Sequence, residues 1–219
     1  MSREVVPSLI GPEVVNQLAH DIAEAAPYLS ELDGATGDGD HGINMTKGFS
    51  LAASRVDASS NLSACLDVLS GTLIDDVGGA MGPLYGVFFE ALAAEASGHE
   101  WIDAATFAAM LESAVRAVLE IGGATLGDKT LADVLIPSLD DVSTRLAAGD
   151  PFDEILVSMS ATAEQSRDAT KDLVARLGRA SRVAERSRGH IDAGAASCAV
   201  ILQSLAVTLR RRLTVQPQI

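Results

Sequence analysis

Apolar residues recur three and four positions apart along most of the chain, the spacing of one helical face. Val14, Leu18, Ile22 and Leu29 form the first such stripe. Pro12 and Glu13 suit the opening of that helix, and Pro27 predicts that it bends or stops. A second helix is expected from Ile43 to about Val56. Asn61 is placed to cap a third, with a buried stripe of Leu62, Cys65, Leu66, Leu69, Leu73 and Val77. Gly78-Gly79 ends it. The fourth runs from Pro83 to about Ala96, and the fifth from Ile102 to Ile121, where a second Gly-Gly pair stops it. A sixth follows Lys129-Thr130 and reaches Ala148, with a bend expected at Pro137. Pro151, behind the potential cap Asp150, starts a seventh that extends to about Arg176. Gly194 precedes the last, through Cys198, Ile201, Leu202, Leu205 and Leu209. Eight helical patterns and no convincing alternating strand predict an all-α fold, read as one domain over residues 1–219.

The connections between these helices carry the chemistry. Glycine-rich loops fall between helices one and two (Gly37 to Gly42), three and four (Gly78 to Gly82), five and six (Gly122 to Gly127), and seven and eight (Gly178 to Gly194). These are alternate connections, and in an up-and-down bundle alternate connections share one end. Helix N-termini pooled there present backbone N–H groups to an anion. Any single Gly-Gly pair is explained as a helix stop. Four on one end are not.

The first of these loops reads Thr36-Gly-Asp38-Gly-Asp40-His41-Gly42, with Asp33 just upstream. Three carboxylates within eight residues, spaced by glycine, match what a hard divalent cation such as Mg²⁺ needs. Gly37, Gly39 and Gly42 also stand in dinucleotide-fingerprint register, but a helical stripe precedes them instead of a strand, so that interpretation is rejected. Gly122 to Thr130 resembles a phosphate-binding Walker loop with an extra Asp128 before Lys129-Thr130, and again lacks its strand. Lys129 and Thr130 either reach phosphate oxygens or cap the next helix. Arg179, set among glycines, offers a forked donor to phosphate or else a solvated charge. His41 suits a phosphate or hydroxyl contact better than a magnesium ion.

Formal charge is −14, with 30 acidic against 16 basic residues, which argues against a nucleic-acid surface. Arg210-Arg211-Arg212 is therefore read as complementing the dipole of the last helix. Aromatic residues are only 4% of the chain while alanine is abundant, a composition suited to closely packed helices. Cys65 and Cys198 sit in apolar stripes and are expected as buried reduced thiols. No signal-peptide pattern and no uninterrupted run of about 18 apolar residues is read, so a cytoplasmic protein without a membrane span is expected.

Taken together, Gly37 to Met45, Gly78 to Gly86, Gly127 to Thr130, Gly178 to Ser181, Glu185 to Ser187 and Gly189 to Gly194 resemble the L subunit of dihydroxyacetone kinase, block by block and in order. The resemblance implies an eight-helix antiparallel barrel with a nucleotide site at one end, holding ADP or ATP and two Mg²⁺ ions. It implies metal binding by Asp33, Asp38 and Asp40, catalysis by these with Arg179, and a nucleotide lined by His41, Gly42, Ile43, Asn44, Ala80, Met81, Gly122, Thr130, Leu131, Arg179, Asp192, Ala193 and Gly194. Met81 stands where a serine is usual in this family, Leu177 where a basic residue is usual and Ala193 where proline is usual; Gly39 matches many ATP-consuming members. The expected activity is phosphorylation of dihydroxyacetone held on a partner K subunit, with ADP a retained cofactor recharged by an M subunit of the phosphotransferase system. A homodimer is compatible with this. Two alternatives stand beside it: an ATP-consuming subunit for another small keto sugar, and a Mg-ADP-sensing interaction protein.

Overall fold

The computed structural model describes residues 2–217. Its eight α-helices are α1 (Gly11–Thr36), α2 (His41–Arg55), α3 (Leu62–Asp76), α4 (Met81–Ala96), α5 (Ala104–Gly122), α6 (Ala132–Ala148), α7 (Phe152–Ala169) and α8 (Ala193–Arg210). Each packs against the next, and α8 packs back on α1, so the helices close into an antiparallel ring. One continuous hydrophobic cluster draws on all eight helices. The expected stripe of α3 is buried along its whole length, and Asn61 caps the helix by accepting Ala64 N–H at 2.9 Å.

Several boundaries differ from expectation. Helix α1 runs through Pro27, and α6 through Pro137, without stopping. Proline removes one ladder hydrogen bond, but α1 is held by α2 on one side and α8 on the other, and this packing outweighs the loss. Helix α5 begins at Ala104 rather than Ile102, because Asp103 accepts the Thr106 N–H at 2.9 Å and sets the cap. Asp150 is not the cap of α7; it pairs with Arg145 at 2.9 Å while Pro151 takes the cap position. Helix α7 ends at Ala169 instead of near Arg176, and two short 3-10 stretches, Thr170–Asp172 and Arg179–Ser187, follow it.

Three short strands also went unread. The strands β1 (Ser2–Pro7), β2 (Trp101–Asp103) and β3 (Thr214–Pro217) form an antiparallel sheet in the order β2-β1-β3. Val6 pairs with Ile102 and Glu4 with Val215, which brings both ends of the described chain to the α4–α5 connection. Such brief strands carry too little alternation to register as a period. Val5 and Val6 are consecutive and both fully buried, so β1 breaks the in-and-out alternation that marks a strand.

Helix α8 is, among the described residues, long and apolar enough to cross a membrane, with mean hydropathy 1.4; the expectation of no such segment was incomplete. Two thirds of it is buried inside the ring, as befits a core helix. Cys65 and Cys198 are both buried and free, and burial pushes the Cys65 thiol up to about 11 and that of Cys198 higher still. The C-terminal arginines do more than face a dipole. Arg210 grips Asp153 through two contacts of 2.7 and 3.1 Å, and Arg212 reaches Glu13 at 2.8 Å.

Gly42 is where α2 comes closest to α1. A methyl group there would strike the Ala26 carbonyl oxygen and lie 2.6 Å from Ser30 Oγ. Replacing Gly42 with alanine is expected to cost ~1–3 kcal/mol by overpacking, read as a lowered midpoint in urea unfolding.

Candidate functional site

The four glycine-bearing connections do meet at one end, opposite the sheet. They enclose a cavity of about 410 Å³, a volume suited to a small-molecule ligand. Helices α2, α4, α6 and α8 begin at it, and the odd-numbered helices α1 and α5 end at it.

These helix starts are not equivalent. Asp192 Oδ2 accepts the Ala195 N–H at 2.8 Å and caps α8. Asp133 accepts Gly127 N–H at 2.6 Å and Thr130 N–H at 2.8 Å, which ties down the loop before α6, and Thr130 Oγ1 accepts the first N–H of α6, that of Ala132, at 3.1 Å. Neither α2 nor α4 has a side-chain cap. The unmet N–H groups of the first turn, and the positive end of the dipole, therefore lie on the side formed by Asp40 to Asn44 and Gly78 to Met81.

The aspartates sit beside those two starts. Asp33 occupies the last turn of α1, and Gly39, at φ +77°, turns the chain so that Asp38 and Asp40 flank it before α2 begins. Carboxylate oxygens of Asp33, Asp38 and Asp40 lie within 4.8 Å of one another. Asp33 Oδ2 is buried and has no hydrogen-bond partner. An orphaned buried acceptor in a cluster of hard oxygen donors fits a bound divalent cation.

Arg179 crosses to this cluster from the long connection before α8. Its Nη1 pairs with Asp38 and lies 3.3 Å from Asp40. Desolvation works against the charge on Asp38, but the hydrogen bond with Asp40 and the Arg179 guanidinium hold its carboxyl below the usual range. Arg179, Asp38 and Asp40 are each about half exposed, so the pairing is screened by solvent, weak and exchangeable.

His41 is buried at the cavity wall. Its Nε2 meets Ser197 Oγ at 2.9 Å, and Ser197 Oγ in turn meets the Tyr85 hydroxyl at 2.7 Å. Burial lowers the His41 pKa, against the pull of Asp33 and Asp40, so the neutral ring is favoured. Ser197 and Tyr85 were not foreseen as site residues. The signal was faint: a single polar position in an apolar stripe, shared by many core serines.

Of the residues expected at the ligand, Asp33, Asp40, His41, Asn44, Ala80, Met81, Gly122, Thr130, Leu131, Arg179, Asp192, Ala193 and Gly194 line the cavity. Asp38 stands just outside its wall within the carboxylate cluster. Gly42 faces α1 instead, and Ile43 is turned to solvent. Unforeseen lining comes from Leu84, Val118 and Ile121, which with Leu131 make the side away from the aspartates apolar. Lys129 borders the cavity, yet its Nζ is neither a helix cap nor free to reach a ligand, because four backbone carbonyls surround it.

Residues 35–207 match the family described as the DAK2 domain. The chain belongs to the DAK2-domain family. It is 33% identical over 215 residues to the ADP-binding subunit of PEP-dependent dihydroxyacetone kinase 2 from Listeria innocua, covering 96% of this chain and 99% of that one. To the ADP-binding subunit of the PTS-dependent enzyme from Lactococcus lactis it is 35% identical over 195 residues, covering 88% and 93%. A D-erythrulose kinase from Mycolicibacterium smegmatis is 33% identical over 193 residues, which cover 86% of this chain but only 33% of the longer protein. The fold resembles the dihydroxyacetone kinase of C. freundii, at a TM-score of 0.67 and 22% identity, over 91% of this chain and about a third (34%) of that one.

Asp192 supplies the prediction of this site. Burial raises its pKa to about 6, against the hydrogen bond from Ala195 and the charge of Lys129. A carboxyl raised in the folded state favours folding fully below its unfolded value, near 3.8, and loses that contribution as pH rises through about 6. Asp192→Asn keeps the capping acceptor and has no such proton. Relative to the wild type, the variant should therefore gain stability between about pH 4 and pH 7, on the order of 1–2 kcal/mol, in denaturant titrations at the two pH values.

Proposed function

We propose that the protein is the nucleotide-binding, phosphoryl-transferring subunit of a dihydroxyacetone kinase. The observation that carries this is the pairing of three convergent carboxylates with two uncapped helix starts on one side of an apolar cavity, in a chain matching ADP-binding subunits along nearly their whole length. The uncapped starts of α2 and α4 suit a diphosphate, and the Leu84, Val118, Ile121 and Leu131 side suits a base.

Asp33, Asp38 and Asp40 would hold two Mg²⁺ ions, which when bound supply positive charge to the phosphate oxygens. The protein's own groups do the rest. First-turn N–H groups of α2 and α4 orient the phosphates. Arg179, released from Asp38 and Asp40 when a cation replaces it, turns its fork to the phosphoryl group being transferred. His41, with Nε2 committed to Ser197, keeps its ring fixed against the wall as a neutral contact. The apolar side excludes water from the base. No sugar-binding group accompanies these residues in the cavity wall, so the acceptor hydroxyl is expected from dihydroxyacetone held on a K-type partner.

The near-complete match to free-standing subunits favours ADP as a retained cofactor recharged by a phosphotransferase-system M subunit in the cytoplasm. The erythrulose kinase relative keeps a tetrose acceptor and direct use of ATP as the second reading. Purified alone with ATP and dihydroxyacetone, the protein should not turn over. Adding a K-type partner with a phosphorylated M-type donor should restore product formation, and ATP in place of that donor should not. Vigorous activity of the isolated chain would sink the proposal, activity on D-erythrulose with ATP would favour the second reading, and nucleotide binding without transfer to any partner would favour a sensor.

Asp38→Ala tests the metal half separately. Calorimetric titration with ADP should show at least a tenfold loss of affinity in magnesium, roughly 1.4 kcal/mol, and no remaining difference between magnesium and EDTA. Retention of both the affinity and its magnesium dependence would move the metal site elsewhere.

A further inference from the structure

Lys129 is among the most deeply buried large side chains of the protein, at 1% exposure, and no step above uses its charge. Its Nζ lies 2.8 Å from the Thr170 carbonyl oxygen, 3.2 Å from that of Leu173, 2.8 Å from that of Ser187 and 2.6 Å from that of His190. All four acceptors belong to one segment, the connection from Thr170 to Asp192 that arches over the cavity and carries Arg179. An ammonium has three protons, and four oxygens surround it. The oxygens are therefore arranged around a sphere of charge rather than along three N–H directions, the way main-chain carbonyls replace the hydration shell of potassium.

Apart from Lys129, the arch is held by scattered hydrogen bonds and not by a regular ladder. It contains no α-helix, and Ala184 within it adopts φ +46°, an unfavourable conformation for a residue with a side chain. Lys129 itself sits at φ +62°, on the far side of the cage. Other ties run alongside: Arg176 N–H donates to the Asp128 carbonyl at 3.1 Å, Asp192 N–H to Thr170 Oγ1 at 3.1 Å, Gly189 N–H to the Lys171 carbonyl at 2.8 Å, Ala175 N–H to Ser187 Oγ at 2.9 Å and Arg188 Nη1 to the Asp172 carbonyl at 2.6 Å. If the ammonium is removed, the Leu173 and His190 carbonyls lose their donor, while those of Thr170 and Ser187 keep only the Leu173 and His190 N–H groups, at 3.1 and 3.4 Å. Carbonyl dipoles pointing at one another repel, so the arch would open and withdraw Arg179 from Asp38 and Asp40. Asp133, Asp172 and Asp192 stand close enough to add negative potential, with Arg188 opposing them.

We propose that Lys129 is a positioning residue whose ammonium fills a four-carbonyl cage closing the Thr170–Asp192 arch over the cavity, and that the emptied cage is a site for a monovalent cation of potassium or ammonium size. Lys129 thus acts on the ligand only through the arch. The effect on nucleotide affinity rests on the proposed function; the cage itself does not.

The test uses Lys129→Ala in chloride salts of tetramethylammonium, potassium and ammonium at equal ionic strength, with Lys129→Met as a control that fills the space without charge. In tetramethylammonium, backbone hydrogen exchange of Lys129→Ala should accelerate at least tenfold within residues 170–192 and little elsewhere, and ADP affinity should fall at least tenfold. Potassium or ammonium should restore both to within threefold of the wild type, and should leave Lys129→Met unrestored. Exchange in Lys129→Ala that matches the wild type, or that is the same in potassium as in tetramethylammonium, overturns the proposal. An alanine variant that stays unfolded in every salt overturns it too, since the occupied cage is expected to rescue folding. Wild-type protein that fails to bind ADP would refute the proposed function while the exchange results still decide the cage.

Discussion

Packing of α8 against α1 is the contact on which the rest of the molecule depends. Without it the helices are a row with two ends, and the α7–α8 connection has no reason to face the loop after α1. With it, the Asp33–Asp40 cluster and the Asp192–Gly194 turn share one wall. The contact is fastened at both ends of the ring. At the far end β1 pairs with β3, joining the segments that lead into α1 and out of α8. At the cavity end His41, Ser197 and Tyr85 link the first turns of α2, α8 and α4 through buried hydrogen bonds. Buried polar groups of this kind are costly unless satisfied, so the three helix starts hold one another in register.

Placing helix starts together creates an electrostatic problem that the sequence resolves unevenly. Four positive dipole ends alternate at this mouth with the negative ends of the odd-numbered helices, so each start depends on its own caps and neighbours. Asp192 caps α8, and the Thr130 hydroxyl takes the Ala132 N–H at the start of α6. The other two, α2 and α4, remain uncapped and are balanced instead by three carboxylates that bind none of their N–H groups as caps. Those carboxylates would repel one another in turn, and Arg179 sits among them. Each imbalance is left where a ligand with its own charges can settle it. On the proposed function, the aspartate side of the cavity, and not the α6–α8 side, would therefore be the reactive one.

Much of this was legible from periodicity and punctuation. The stripe of α3, its Asn61 cap and the alternate glycine loops are local signals, and tertiary packing only confirmed them. Where the reading failed, a distant partner had overruled a local preference. Pro27 would end an isolated helix, but α1 is clasped from both sides. Beyond the end of α7 the chain tightens into a 3-10 turn, and Lys129, some forty residues earlier, bonds the Thr170 and Leu173 carbonyls there. Lys129-Thr130 looked alike to a phosphate loop and to a helix cap. Only the buried ammonium of Lys129 and the Thr130 hydroxyl, which accepts the Ala132 N–H, separate them. Strands β2 and β3 were invisible because they exist only as partners of β1.

The scarcity of aromatic residues explains why a cavity survives in so well packed a ring. The cavity-end turns of α8 are built of small residues, with Ala195, Ala196, Ser197, Cys198 and Ala199 all buried, before Ile201 and Leu202 follow. The large side chains are concentrated lower down: Phe88 meets Phe89 edge-on at 5.2 Å, and Phe89 meets Phe49 at 5.8 Å. Tyr85 stands one turn above them, and its hydroxyl is the first polar atom of the stack, bonded to Ser197 and to the Gly194 carbonyl. The aromatic plug therefore stops at Tyr85, and the wall above it is built of glycine, alanine and short aliphatic side chains. A phenylalanine at that level would leave Ser197 and His41 without their anchor; a larger residue at Ala193 or Gly194 would fill the space the ligand needs. The floor of the site is thus the point at which core packing runs out of rings and begins to require hydrogen bonds.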